Sequence, residues 1–294
     1  MEQVINIQDM NFAYGEKEIL QHLNLSMVSG KIYAVLGPNG AGKTTLINIL
    51  LGRLAPQSGH VSILNRPPGS DDCRARVGAM MQTSSLPLNI KVNEFLQLFS
   101  SYYPKPFPIT ELVTLCQLEG VSEQTFETLS GGQKQRLFMA LALIGNPDIV
   151  ILDEPSVGMD VESRQQLWQA ILALKQQNKT VLLTTHYLHE AEHLADELYV
   201  LQAGNCQPLA DIPEFNNHYK RSEIRFCCDA SAAAIVSALP LVEISHQQGK
   251  YTIMTDSPNQ VLLQLLSHFS VSELVVSPHC LEQSYLSYMN ARSA

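Results

Sequence analysis

Lys31-Ile32-Tyr33-Ala34-Val35-Leu36-Gly37-Pro38-Asn39-Gly40-Ala41-Gly42-Lys43-Thr44-Thr45-Leu46 is the stretch on which the fold turns. The compact apolar run that opens it reads as a strand buried on both faces. Gly37 to Thr44 then fit GxxxxGK[ST], and a helix is expected from about Lys43 to Leu51, stopped by Gly52. The glycines let backbone N–H groups turn inward around phosphate oxygens, and the helix start adds partial positive charge. Lys43 is placed to reach the β- and γ-phosphates of a nucleotide, and Thr44 to offer its hydroxyl to Mg²⁺.

Upstream, Val4 to Tyr14 and Ile19 to Met27 read as paired strands at a sheet edge around Gly15-Glu16. Downstream, strands are expected near His60 to Leu64 and Val77 to Gln82. Helical patterns then follow at Val92 to Tyr103 and Ile109 to Leu118, parted by the breaker Pro104-Lys105-Pro106-Phe107-Pro108, within a helical insert of about residues 83–145. Strand, helix and strand alternate again at Ile149 to Leu152, Arg164 to Gln177 and Thr180 to Thr185, the pattern of a parallel sheet. A hairpin about Gly204-Asn205 closes a first domain, 1–212. Residues 213–294 read as a separate α+β domain: strand Glu223 to Cys227, helix Ala230 to Leu239, hairpin about Gln248-Gly249, helix Asn259 to Phe269, strand Glu273 to Val276, helix Leu281 to Met289. That βαββαβ order is the ferredoxin-like arrangement.

Two further segments carry chemistry. Ile149-Val150-Ile151-Leu152-Asp153-Glu154 puts two acids at the end of a buried strand, where carboxylates are expensive unless they meet a cation, a proton or water. Asp153 suits holding Mg²⁺, directly or through water. Glu154 suits orienting an attacking water and accepting its proton. Leu129-Ser130-Gly131-Gly132-Gln133 opens another helix and is either a second anion site or merely a cap.

Composition narrows the field. A net charge of -9 without a basic tract argues against nucleic acid as partner. The six cysteines form no CxxC pair and read as reduced thiols. Met1-Glu2-Gln3-Val4 lacks signal-peptide character, and the most apolar segment, Leu137 to Ile144, falls far short of the ~18 residues that span a bilayer, so a membrane role is expected to come through a partner.

In order along the chain stand GPNGAGKTT, Gln82 ending a strand, LSGGQ, the hydrophobic strand with Asp153-Glu154, Asp160, and His186 ending the next strand. Over roughly residues 2–210 the sequence resembles the nucleotide-binding domain of ABC transporters, an α/β fold of the P-loop NTPase type with an antiparallel edge sheet. The resemblance implies an ATPase using ATP and Mg²⁺, and two subunits packed head to tail. Ser130, Gly131, Gly132 and Gln133 of one would then face the ATP held by Gly37, Pro38, Asn39, Gly40, Ala41, Gly42, Lys43, Thr44 and Thr45 of the other. It implies that Gln82 contacts Mg²⁺ or the lytic water, that His186 hydrogen-bonds the γ-phosphate, and that Asp160 touches the opposite subunit. Adenine would stack on Tyr14, with Phe12 as the alternative. Glu154, His186, Gln82 and Lys43 form the expected catalytic set, and Thr44, Gln82 and Asp153 the metal set.

Asp153-Glu154-Pro155-Ser156-Val157-Gly158-Met159-Asp160, with Leu281-Glu282-Gln283-Ser284-Tyr285 in the tail, is similar to ATP-binding subunits of ABC-2 type exporters. That likeness implies a peripheral protein at the cytoplasmic side of the cell membrane, a homodimer or heterodimer serving a separate permease. The alternative within the resemblance is a soluble ABC ATPase of repair or translation. A competing motif, His189-Glu190-Ala191-Glu192-His193, satisfies the HExxH of zinc enzymes but has no evident third ligand, and a polar helix following His186 explains it. Vicinal Cys227-Cys228 reads as packing, with a redox or metal role as the alternative. The 213–294 domain is expected to regulate or dimerise.

Overall fold

The computed structural model describes residues 2–82, 86–209, 222–228, 243–247, 250–255 and 257–278. The chain divides into two compact units, Met1–Leu209 and Ala210–Ala294.

In the first unit, β1 (Gln3–Tyr14) and β2 (Lys17–Val28) form an antiparallel pair, and β4 (Ser58–Ile63) adds to the other edge of β1. Leu23, Leu25 and Met27 alternate with exposed residues along β2, as a strand with one covered face requires. A second sheet, of order β5-β6-β7-β3-β8-β9, contains β5 (Val77–Met80), β6 (Ile149–Asp153), β7 (Thr180–Thr185), β3 (Ile32–Leu36), β8 (Glu197–Gln202) and β9 (Asn205–Pro208). Its pairings are parallel except for the β8–β9 hairpin. Every residue of β3, β6 and β7 is buried, so their uninterrupted apolar runs follow from having both faces covered.

One face of this sheet packs on α1 (Lys43–Leu50), which lies against β6 and β4. Leu46, Ile47, Ile49 and Leu50 of α1 join Ile5, Ile7, Leu23 and Met27 of the antiparallel sheet and Val35, Ile149, Ile151 and Leu182 of the parallel one in a single apolar cluster. At ~25 cal/mol per Å² of apolar surface, this cluster dominates what holds the loops above it still. The helical stretch comprises α3 (Val92–Ser100), α4 (Ile109–Leu115) and α5 (Gly131–Leu143); α6 (Val161–Gln176) and α7 (Leu188–Leu194) follow β6 and β7.

Two details depart from the sequence reading. A short helix, α2 (Asp71–Arg76), precedes β5; its acids at the start and arginines at the end suit the helix dipole, but it buries only Cys73 and so leaves no apolar periodicity to read. Gln82 does not end a strand: β5 stops at Met80, and Gln82 sits exposed in a bend two residues on. β5 is the outer strand of the sheet, paired with β6 alone, and its ladder stops at Met80 opposite Leu152, one residue before β6 ends at Asp153, which pairs with Thr184 of β7.

In the second unit, β10 (Ser222–Cys227), β11 (Glu243–Gln247), β12 (Lys250–Thr255) and β13 (Ser272–Pro278) form an antiparallel sheet of order β11-β12-β10-β13. With β10 between β12 and β13, the strands interleave as a split βαβ pair requires. α8 (Pro258–His268) buries Val261 and Leu265 against Ile224, Phe226, Tyr251 and Ile253. The helices expected at Ala230 to Leu239 and Leu281 to Met289, and the Leu281-Tyr285 motif, lie outside the described residues.

Candidate functional site

Three adjacent strands, β6, β7 and β3, deliver the polar side chains to one place, the carboxyl edge of the parallel sheet, which is where ligands sit in open α/β sheets. The loop after β3 is fixed first. Gly37 N–H donates to Thr185 O at 3.2 Å. A Cβ on Gly37 would stand 2.5 Å from Leu201 O, so only glycine lets the loop lie this close to β8. Gly40 and Gly42 take φ of 82° and 106°, left-handed conformations that other residues adopt only with strain. Gly42 begins α1 without a side-chain cap. The N–H groups of that first turn are therefore left to whatever the loop encloses.

Lys43 is 5% exposed, and its ammonium is held by three acceptors: Gly37 O at 2.7 Å, Pro38 O at 3.1 Å and Glu154 Oε1 at 2.9 Å. Glu154 is 6% exposed, and its second oxygen, Oε2, lies 3.0 Å from His186 Nδ1. Lys43, Glu154 and His186 thus form one continuous chain of charge and hydrogen bonds, buried at Lys43 and Glu154 and half-buried at His186, the form in which buried charges are tolerable. Glu154 also adopts φ +49°, uncommon for a residue with a Cβ, and its N–H donates to Thr184 O at 3.1 Å.

One residue earlier, Asp153 is fully buried, with a hydroxyl on each carboxylate oxygen: Thr44 Oγ1 donates to Oδ2 at 2.9 Å and Thr184 Oγ1 to Oδ1 at 2.6 Å. A threonine hydroxyl that donates its proton to a carboxylate keeps its lone pairs. The Thr44–Asp153 pair is therefore a hard-oxygen donor set of the kind that suits Mg²⁺. Thr184 was not singled out in the sequence. The signal was available, because a threonine on an all-buried strand needs a partner, but nothing local named that partner.

The other sequence-derived residues lie as follows. Ser130 caps α5: its Oγ accepts from Gln133 N–H at 3.3 Å, and Gln133 Oε1 accepts from Ser130 N–H at 2.8 Å, a closed capping box. Gly131 has open space where a Cβ would be, whereas a Cβ on Gly132 would stand 2.4 Å from Ser163 Oγ. Asp160 caps α6, its carboxylate accepting from the backbone N–H (2.8 Å) and hydroxyl (2.9 Å) of Ser163, which hold its pKa below the ordinary value. Tyr14 is 52% exposed, its ring edge-on to Phe12 at 4.9 Å between centroids, while Phe12 is 7% exposed and belongs to the core. Pro38, Asn39 and Thr44 are exposed on the loop, with Ala41 and Thr45 half-buried.

The zinc-like motif resolves into packing. Glu190 is buried and its Oε1 accepts from Trp168 Nε1 at 3.1 Å, and the rings of His189 and His193 both lie against Trp168. Its helix is thus solvated on the histidine side only, which corrects the reading of an exposed polar helix. Cys227 Sγ lies 3.7 Å from Glu273 Oε2, while Cys228 packs against the apolar cluster of the second unit, so the vicinal thiols have different surroundings.

The chain is similar to known proteins in sequence and in fold. The ABC transporter family model matches residues 20–157. The chain is 37% identical over 207 residues to the Nod factor export ATP-binding protein I of Burkholderia orbicola (strain AU 1054), covering 68% of each. It is 36% identical over 208 residues to the protein of the same name from Rhizobium meliloti (strain 1021), covering 68% of this chain and 62% of that one. Among solved structures it is similar to an ATP-binding subunit of an ABC transporter (TM-score 0.64, 25% identity, 71% of this chain and 91% of that one). It is also similar to a dimeric bacterial ABC transporter cassette (TM-score 0.61, 25% identity, 69% and 96%).

Proposed function

Because the chain belongs to the ATP-binding proteins of ABC transporters, ATPases coupled to transport, we propose that it energises an exporter by hydrolysing ATP in a site shared between two copies. The observation that carries this reading is the hydrogen-bonded chain Lys43–Glu154–His186 beside the Asp153–Thr44 pair, at the mouth of an uncapped helix start.

In this reading the N–H groups of Gly40 and of residues 42–45 cradle the phosphates, and Lys43 exchanges Glu154 for a phosphate oxygen. Glu154, with Oε1 released, accepts a proton from the attacking water while His186 steadies Oε2. Thr44 and Asp153, with Gln82 from its exposed bend, hold Mg²⁺, which supplies neutralisation of phosphate charge. Tyr14 offers the adenine its free ring face. Ser130 to Gln133 of a second copy close the site from the opposite side, in keeping with the two-fold symmetry that makes two equivalent sites. A separate permease carries the cargo across the membrane; no helix among the described residues is long and apolar enough to cross one. Export as the direction follows from the names of the relatives, and the second unit regulates or dimerises.

Glu154→Gln removes the proton acceptor and keeps the shape. Turnover should fall on the order of 10²- to 10⁴-fold, with ATP-dependent dimers accumulating in size-exclusion chromatography. Normal turnover in that variant would end the assignment of Glu154. Deleting residues from about 213 onward should leave ATP turnover in place, and its complete loss in a folded remainder would refute the accessory role.

A further inference from the structure

Thr184 belongs to none of the segments that motif and family reading bring to the site, yet its hydroxyl is bonded both to the Asp153 carboxylate and to the Glu154 backbone N–H. It is fully buried on β7, directly beside Asp153 in the parallel register. Its Oγ1 donates to Asp153 Oδ1 at 2.6 Å and accepts from Glu154 N–H at 3.2 Å. A hydroxyl has one proton and two lone pairs, and here the proton goes to one acid and a lone pair to the backbone of the next.

We infer that Thr184 is a positioning residue for ATP hydrolysis, fixing through one hydroxyl which oxygen Asp153 turns to Thr44 and how the Glu154 backbone is held; this rests on the roles proposed above. Asp153 has two equivalent oxygens and one rotatable carboxylate. With Oδ1 tied to Thr184, Oδ2 is the oxygen left for Thr44 and the cation beside it. Glu154 sits at φ +49°, where a residue with a Cβ stays only if its surroundings hold it. Its N–H is gripped by both oxygens of Thr184, the carbonyl at 3.1 Å and the hydroxyl at 3.2 Å. Outer partners of this kind typically change metal affinity or activity by roughly 10- to 100-fold when removed.

The test compares Thr184→Val, Thr184→Ser and Thr184→Ala in the full chain. Val keeps the volume without the hydroxyl; Ser and Ala both lack the methyl group and differ only in the hydroxyl. Two readouts are taken: kcat and KM for ATP, and, without turnover, ADP affinity with and without Mg²⁺. Val and Ala should lose roughly 10- to 100-fold in kcat with KM moving less than about threefold, and Ser should stay within about threefold of the parent. Metal-free ADP affinity should be unchanged, because Lys43 is untouched, whereas the gain in affinity on adding Mg²⁺ should shrink about tenfold in Val and Ala but not in Ser. Equal kcat and equal Mg²⁺ response in Ser and Ala would overturn the inference, and that pair decides the matter should Val fail to fold. Turnover retained in Lys43→Ala would instead overturn the proposed function, so the two failures are told apart.

Discussion

The helix that opens at Lys43 leaves its first turn uncapped by any side chain, while the helix that opens at Gly131 carries its own cap in Ser130 and Gln133. Both are glycine-led starts, and both aim a helix dipole outward. They differ in what surrounds them. The first is roofed by its own lysine and backed by two buried acids at the end of β6, the set to which phosphate binding is assigned in the proposal above. The hydrogen bonds that cap the second run between its own residues, Ser130 and Gln133. A gripping start and a self-contained, outward-facing start suit a division of labour in which one copy binds nucleotide and the other closes on it.

That contrast can be broken or sharpened by experiment. Lys43→Ala should have the largest effect, lowering turnover on the order of 10³-fold and abolishing measurable ADP binding in isothermal titration. A matching loss of single-copy ADP binding from any change at Ser130 would erase the distinction. Gly132→Ala comes next: its new methyl meets Ser163, so chemical denaturation should register a destabilisation of roughly 1–3 kcal/mol, largely recovered by Ser163→Gly. Ser130→Ala, losing the cap, should cost about 1 kcal/mol by the same assay, and ADP affinity should be untouched while ATP-driven dimerisation weakens. The smallest effect belongs to Asp160→Asn. Asp160 has a folded-state pKa below the ordinary 3.8, so its contribution is present above that value and disappears as pH falls through the folded one. Thermal melts of parent and variant, slightly apart at pH 7, should converge once the pH falls below the lowered folded-state value.

Much of the fold was legible because its signals are local. The Gly37–Thr44 loop announces its own strand and helix, and the apolar run at 149–152 and the Thr-flanked Val181-Leu182-Leu183 declare a sheet covered on both faces. Contacts between distant segments were not legible. Nothing in the neighbourhood of Lys43 says that its ammonium meets Glu154, and nothing near Thr184 says that it meets Asp153, because sheet order brings them together. The HExxH pattern, set aside in the sequence for want of a third ligand, is a local spacing occupied by a long-range contact, Glu190 to Trp168. Gln82 fell outside its strand because β5, paired on one side, stops opposite Leu152, while Asp153 pairs with β7, and nothing in the local sequence marks that stop.

The two neighbouring glycines of the Leu129–Gln133 segment are glycine for unrelated reasons. At 132 the missing side chain makes room for Ser163 of the same polypeptide, whereas at 131 it leaves bare backbone facing outward. Anyone comparing this pentapeptide across other chains should therefore expect the second glycine to vary together with whatever stands at the start of the following long helix, and the first to vary with the molecule on the far side. A single short signature here mixes an internal fitting tolerance with an external recognition demand, and the two can drift separately.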